Sequence, residues 1–99
     1  MRLSIEQREQ ITKITVELAG TSAGVTLFGS RIDDSKRGGD VDLLVELPED
    51  IDNPAWLAAQ LSAKISRMML GRHVDVLLSA PNLKKLPIHE VAKSTGVLL

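Results

Sequence analysis

The sequence contains no cysteine and almost no aromatic side chains. The absence of cysteine excludes disulfide bridges and metal sites built on thiolates. Trp56 and Phe28 are the two aromatic residues, so the core must be built from Leu, Ile, Val, Met and Ala, within a hydrophobic fraction of 43%. A chain of 99 residues buries about 60–70% of its unfolded surface on folding. We therefore predict a single domain over residues 1–99.

The chain also lacks an excess of either charge and a long apolar run. Twelve basic residues face thirteen acidic ones, for a formal net charge of −1. A protein that holds nucleic acid through its phosphates needs a basic surface, so we expect no direct grip on nucleic acid. No apolar run approaches the roughly 20 residues that cross a bilayer, and the first residues lack a signal-peptide core. We expect no membrane contact and a cytoplasmic location.

Apolar spacing and capping residues predict the element order α-β-β-α-β-α. Three apolar runs predict strands and three amphipathic segments predict helices. A Gly-rich, charged segment follows the first strand and is too polar to continue it. In chain order the predictions are a helix over 5–19, a strand over 25–28, the polar segment over 29–39, a strand over 41–47, a helix from Pro54 to a stop at Gly71, a strand over 73–78 and a short helix over 87–94.

The connections between these elements restrict the topology. A helix joins the second and third strands, and such a crossover is typical of parallel neighbours. The first two strands are joined by a loop and could pair in either direction. The fold class is α/β (α+β), with a small mixed sheet of three or four strands backed by helices.

Aspartates on the second and third strands indicate a metal site. Because side chains alternate along a strand, Asp40 and Asp42 point to one face while Val41 and Leu43 point to the other, into the core. Two ionised carboxylates on one face repel each other, and a divalent cation removes that repulsion. Asp75 interrupts an otherwise apolar strand and reaches the same place if the two strands are neighbours.

Three such oxygens suit Mg²⁺, which is usually held by carboxylates, water and substrate phosphates. We therefore predict that Asp40, Asp42 and Asp75 bind two Mg²⁺ ions and a nucleoside triphosphate. The segment between the strands supplies the other half of such a site. Gly29 allows close approach of a phosphate, Ser30 adds a hydroxyl donor and Arg31 adds positive charge.

Each of these features alone also occurs on ordinary protein surfaces. An Asp-x-Asp pair, an aspartate in a short strand and a Gly-Ser turn all have plain structural explanations. Their order and spacing carry the prediction. The run Leu27-Phe28-Gly29-Ser30-Arg31 followed by Gly39-Asp40-Val41-Asp42-Leu43-Leu44-Val45 resembles the signature of the polymerase-β-like nucleotidyltransferase superfamily. The chain is most similar to its minimal members, the MNT antitoxins that pair with HEPN-domain toxins.

This resemblance implies a palm-like sheet and a defined chemistry. Asp40 and Asp42 would match the metal ligands, and Asp75 would match the third carboxylate, which helps to deprotonate the acceptor. Gly29 and Ser30 would match the phosphate-holding pair. The implied reaction is transfer of AMP from ATP to a tyrosine hydroxyl of a cognate HEPN toxin, whose ribonuclease activity is thereby blocked. The implied assembly is a hetero-oligomer with that toxin.

Two alternatives remain open from the sequence. The segment between Ser30 and Asp40 has nine residues, shorter than is usual in the family, which favours a binding module that neutralises its partner by occlusion. A transferase acting on a small hydroxylated molecule is the other alternative. A chain of this length has little left to build a closed acceptor pocket, so we expect the acceptor to lie on another protein.

Overall fold

A computed structural model describes residues 3–29 and 41–99 of the chain. These residues form three helices and one four-stranded sheet. The elements are α1 (Ile5–Ala19), β1 (Gly24–Phe28), β2 (Val41–Glu46), α2 (Pro54–Met68), β3 (Val74–Ser79), α3 (Pro87–Thr95) and β4 (Val97–Leu98). The predicted order is confirmed, with β4 added after α3. The bounds of β2 and β3 differ from the prediction by one residue. Strand β2 ends at Glu46 where residue 47 was predicted, and β3 covers Val74–Ser79 where 73–78 was predicted.

Local chemistry explains where the helices begin and end. Ser4 and Gln7 form a reciprocal capping box, in which each side chain accepts a hydrogen bond from the other's backbone N–H, at 3.0 and 2.9 Å. The Asn53 side chain accepts a hydrogen bond from the Trp56 N–H at the start of α2, where Pro54 occupies the first turn. After α2 the backbone turns through Gly71 at a φ of +87°, a conformation that glycine adopts without strain.

The sheet has the strand order β3-β2-β1-β4 and is mixed. Strands β2 and β3 are parallel, as the helical crossover predicts. Strand β1 is antiparallel to β2, which resolves the pairing that the sequence left open, and β4 is antiparallel to β1. The end of β1 and the starts of β2 and β3 therefore meet at one end of the sheet. The turn before β3 reaches the sheet at this end.

Helices cover both faces of the sheet. On one face, Val41, Leu43 and Val45 of β2 are fully buried in the main core, as their alternation predicts. Helices α1 and α2 supply Ile11, Ile14, Leu61 and Ile65 to that core, and β1 and β3 supply further buried side chains, such as Leu27 and Val74. On the other face, a smaller cluster joins Phe28 and Leu44 to Ala92 of α3. The elements on this second face border the predicted site. Within the described residues, no helix is long and apolar enough to span a membrane.

A buried histidine connects α3 to β3. The Leu86 N–H donates a hydrogen bond to Nδ1 of His89, so Nε2 carries the proton and donates to the Leu78 carbonyl, at 2.9 and 3.0 Å. His89→Leu leaves both backbone groups without these partners. Because an unsatisfied buried polar group costs about 1–3 kcal/mol, we expect the free energy of unfolding to fall by about 2–4 kcal/mol in urea denaturation. The matched variant His73→Leu, at an exposed histidine, should change it by less than about 0.5 kcal/mol. Equal losses would contradict this role for His89.

Candidate active site

Two of the predicted carboxylates lie side by side at the end of the sheet where the connections meet. Asp42 pairs with Asp75 across the parallel β2–β3 ladder and with Phe28 across the antiparallel β1–β2 ladder. Residues paired in register project to the same face, so these three side chains form one row across the sheet. The face is the one on which α3 lies. The sequence prediction required β2 and β3 to be neighbours, and they are, so Asp42 and Asp75 lie on the same face of the sheet.

Gly29 adjoins this row at the end of β1. Its φ is +78°, in the region that favours glycine. A Cβ atom at this position would lie 2.6 Å from Oδ2 of Asp42, closer than nonbonded atoms approach. The backbone conformation therefore favours glycine here, and any side chain would have to displace the Asp42 carboxylate. The sequence predicted room for a phosphate at Gly29, whereas the nearest group in the structure is the Asp42 carboxylate.

A cavity of about 720 Å³ opens over the two carboxylates. This volume is in the range of small-molecule binding sites. Gly29, Asp42 and Asp75 form the polar part of the cavity lining, and the apolar part comes from Phe28, β3 and α3. The lining residues are Phe28, Gly29, Asp42, Asp75, Val76, Leu77, Ile88, Val91 and Thr95. The carboxylates thus lie at the floor of a space large enough for a nucleotide or an acceptor group.

Asp75 is open to solvent and has a histidine neighbour. Its side chain is 60% exposed, and Oδ1 lies 2.8 Å from Nε2 of His73, two residues earlier on the same face. An exposed pair of this kind contributes little to stability. The exposure leaves the carboxylate accessible to a ligand, and the hydrogen bond restricts its orientation. Asp42, by contrast, is half-buried.

The remaining predicted site residues fall outside the described part of the chain. Asp40, Ser30 and Arg31 all lie between residues 30 and 40, so their predicted roles stay predictions. Within residues 3–29 and 41–99, no three His, Asp or Glu side chains form a group that could hold a metal ion. Asp42 and Asp75 nevertheless fit a divalent cation, because Mg²⁺ is commonly held by one or two carboxylates completed by water and phosphates.

The apolar wall of the cavity was not predicted from the sequence. Ile88, Val91 and Thr95 follow one another at helical spacing on α3 and face the cavity. Their spacing was visible, but it indicated an ordinary helix face that would be buried in a core. Ile88 and Val91 are instead 48% and 54% exposed. The exposure depends on where α3 crosses the sheet, which spacing alone does not specify.

Comparison with known proteins agrees with this geometry. A family model described as a nucleotidyltransferase domain matches residues 8–96. The match extends from within α1 to the glycine before β4 and includes both Asp42 and Asp75. No curated protein gives a significant match to the chain.

Proposed function

Because the chain belongs to the nucleotidyltransferase domain family, we propose that it transfers AMP from ATP to a tyrosine hydroxyl of a cognate HEPN-domain toxin and so acts as an antitoxin. Nucleotidyl transfer is the activity of the family. The nucleotide, the acceptor and the biological role are the proposed parts. The observation that carries the proposal is the pairing of Asp42 with Asp75 in register, with Gly29 beside them, at the floor of one cavity.

The two carboxylates differ in surroundings, which suits different roles. Asp42 is half-buried on β2, which lies between β1 and β3. Asp75 is exposed on β3, at the edge of the described sheet. Asp42 and Asp75, together with Asp40, would hold two Mg²⁺ ions, which when bound neutralise the charge of the triphosphate. Asp75 is the carboxylate that an incoming hydroxyl can approach without displacing the core.

The transfer step follows from these positions. The acceptor oxygen forms a bond to the α-phosphorus of ATP, the bond from that phosphorus to the bridging oxygen breaks, and pyrophosphate leaves. Asp75 accepts the proton of the acceptor hydroxyl. Gly29 itself adds no side chain beside the Asp42 carboxylate, and by the family resemblance it would lie next to the phosphates. The products are the AMP-modified acceptor and pyrophosphate.

A labelling experiment tests the proposal. The purified chain, Mg²⁺ and ATP labelled on the α-phosphate are incubated with the HEPN-domain protein proposed as its partner. We expect label on a tyrosine of that protein and loss of its ribonuclease activity. A variant of the partner with phenylalanine in place of tyrosine is the control and should stay unlabelled. Inhibition of the ribonuclease without any label would instead support occlusion, and label on a free small hydroxylated compound would support the small-molecule alternative.

A further inference from the structure

Helix α3 and strand β3 diverge towards the carboxylates and leave a wedge-shaped groove between them. At one end they are tied together by the hydrogen bond from His89 to the Leu78 carbonyl. At the other end α3 lies over β1, where a Cβ on Gly96 would clash with Thr26 and the Leu27 carbonyl. The helix therefore crosses the sheet from β3 to β1, and the groove widens in the direction of Asp75.

Aliphatic side chains form the walls of this groove. Ile88 and Val91 project from α3, and Leu77 comes from β3, whereas the side chain of Val76 packs against the main core on the other face. Ile88 and Val91 are about half exposed, and adjoining exposed apolar side chains indicate a contact surface. Such a surface suits apolar side chains of a partner.

The backbone of β3 favours side-chain packing over strand addition. The carbonyls of His73 and Ser79 face β2, where they accept from Val41 and Leu47, so the carbonyls of the even-numbered residues face away. Two of these, on Val74 and Leu78, already accept hydrogen bonds from the side chains of Ser62 and His89. An added strand would meet occupied acceptors at both ends of β3. A helix that inserts apolar side chains needs no such acceptors.

The position of the groove decides which substrate it serves. Gly29 lines the cavity at the end of β1, Asp42 follows on β2, and Asp75 lies on β3 at the end towards which the groove widens. In an in-line displacement the attacking group and the leaving pyrophosphate lie on opposite sides of the phosphorus. With the phosphates on the Gly29 side, the acceptor enters from the groove. The side from which the acceptor enters is inferred from the proposed function, whereas the apolar character of the groove is independent of it.

We propose that the α3–β3 groove binds the apolar face of a helical segment of the acceptor protein and thereby presents its hydroxyl to Asp75. The segment places aliphatic or aromatic side chains against Ile88 and Val91. The acceptor is accordingly a protein recognised by apolar packing.

A displayed library of random peptides, each long enough for about four helical turns, tests the groove without ATP. The baits are the wild-type chain, Val91→Asn and the matched control Ser94→Asn. The control introduces the same uncharged side chain at an exposed α3 residue outside the groove. We expect wild-type-selected peptides to carry apolar residues at helical spacing. Their Kd should rise at least about tenfold on Val91→Asn and stay within about twofold on Ser94→Asn. Unchanged circular dichroism of both variants controls for folding.

Several results would overturn the proposal. Peptides that bind Val91→Asn as tightly as wild type, or a library without enrichment on wild type, would remove the groove as a protein-binding surface. A random RNA pool that is enriched on wild type and lost on Val91→Asn would assign the groove to nucleic acid. A rise in the KM for ATP in Val91→Asn would assign it to the nucleotide. Peptide binding that depends on Val91 in a chain without transferase activity would keep the groove and reject the proposed function, so the two failures are distinguishable.

Discussion

Asp42→Asn is expected to lower the rate of AMP transfer by at least about 10²–10³-fold, the effect of removing one aligned electrostatic group from an active site. The amide keeps the shape of the side chain but loses the charge that pairs with a cation. Asp42 is half-buried in the row next to Asp75, while its neighbours Val41 and Leu43 carry the core packing. The fold should therefore persist. Initial rates at saturating ATP and Mg²⁺ measure the effect.

The matched control is Asp50→Asn, an exposed aspartate in the connection after β2, at the opposite end of that strand from Asp42. It should retain wild-type activity. Ligand-linked stability gives a second readout: a ligand at about 100 times its Kd raises the free energy of unfolding by about 2.7 kcal/mol. We expect Mg²⁺ with ATP to raise the Tm of the wild type and of Asp50→Asn, and to leave that of Asp42→Asn unchanged. Near-normal transfer by Asp42→Asn would exclude the carboxylate row from catalysis.

Gly29→Ala is expected to reduce activity by about tenfold to 100-fold and to destabilise the fold by about 1–2 kcal/mol. The stability loss comes from holding a side-chain-bearing residue at a φ of +78°. The activity loss has a separate cause, because the new Cβ would lie 2.6 Å from Oδ2 of Asp42 and must displace that carboxylate. Mispositioning a reacting group by about 1 Å costs about 10²-fold. Thermal denaturation and kcat/KM measure the two effects separately.

The control variant Gly20→Ala separates the effect of backbone strain from the effect of displacing the Asp42 carboxylate. Gly20 has a φ of +100°, and a Cβ there meets no atom within 4 Å. It follows α1 and precedes β1, at the end of β1 opposite Gly29. The substitution should therefore cost a comparable stability and leave kcat/KM unchanged. If both glycine variants lost activity in proportion to stability, Gly29 would have no role beyond its backbone conformation.

The sequence was sufficient for much of the fold because local chemistry determines it. The Ser4–Gln7 capping box, Asn53 before Pro54, and the alternation of Val41, Leu43 and Val45 specify their helices and strand directly. The parallel pairing of β2 with β3 followed from the helical crossover. Residues paired in register on neighbouring strands project to the same face, so placing Asp42 and Asp75 on one surface required only that the strands be neighbours and in register.

Other features depend on long-range packing, which local pattern does not encode. Strand β4 is two residues long, and it forms only because the edge of β1 not paired with β2 supplies its hydrogen-bond partners. The helical stripe of Ile88 and Val91 indicates an apolar face, but its exposure depends on the angle at which α3 crosses the sheet. Gly29 was read as a phosphate contact, whereas its contact with Asp42 comes from the pairing of β1 with β2. The spacing of residues along the chain does not predict a contact between Gly29 and Asp42, which lie on different strands.

Paramagnetic relaxation in solution tests the central claim most directly. Mn²⁺ replaces Mg²⁺ in the presence of a non-hydrolysable ATP analogue, and the broadening of each backbone amide signal is measured by NMR. The carboxylate row predicts that Gly29, Asp42 and Asp75 broaden first and that Asp42→Asn abolishes the effect. Broadening centred on the acidic connection around Asp50, with the signals of Asp42 and Asp75 still sharp, would contradict it.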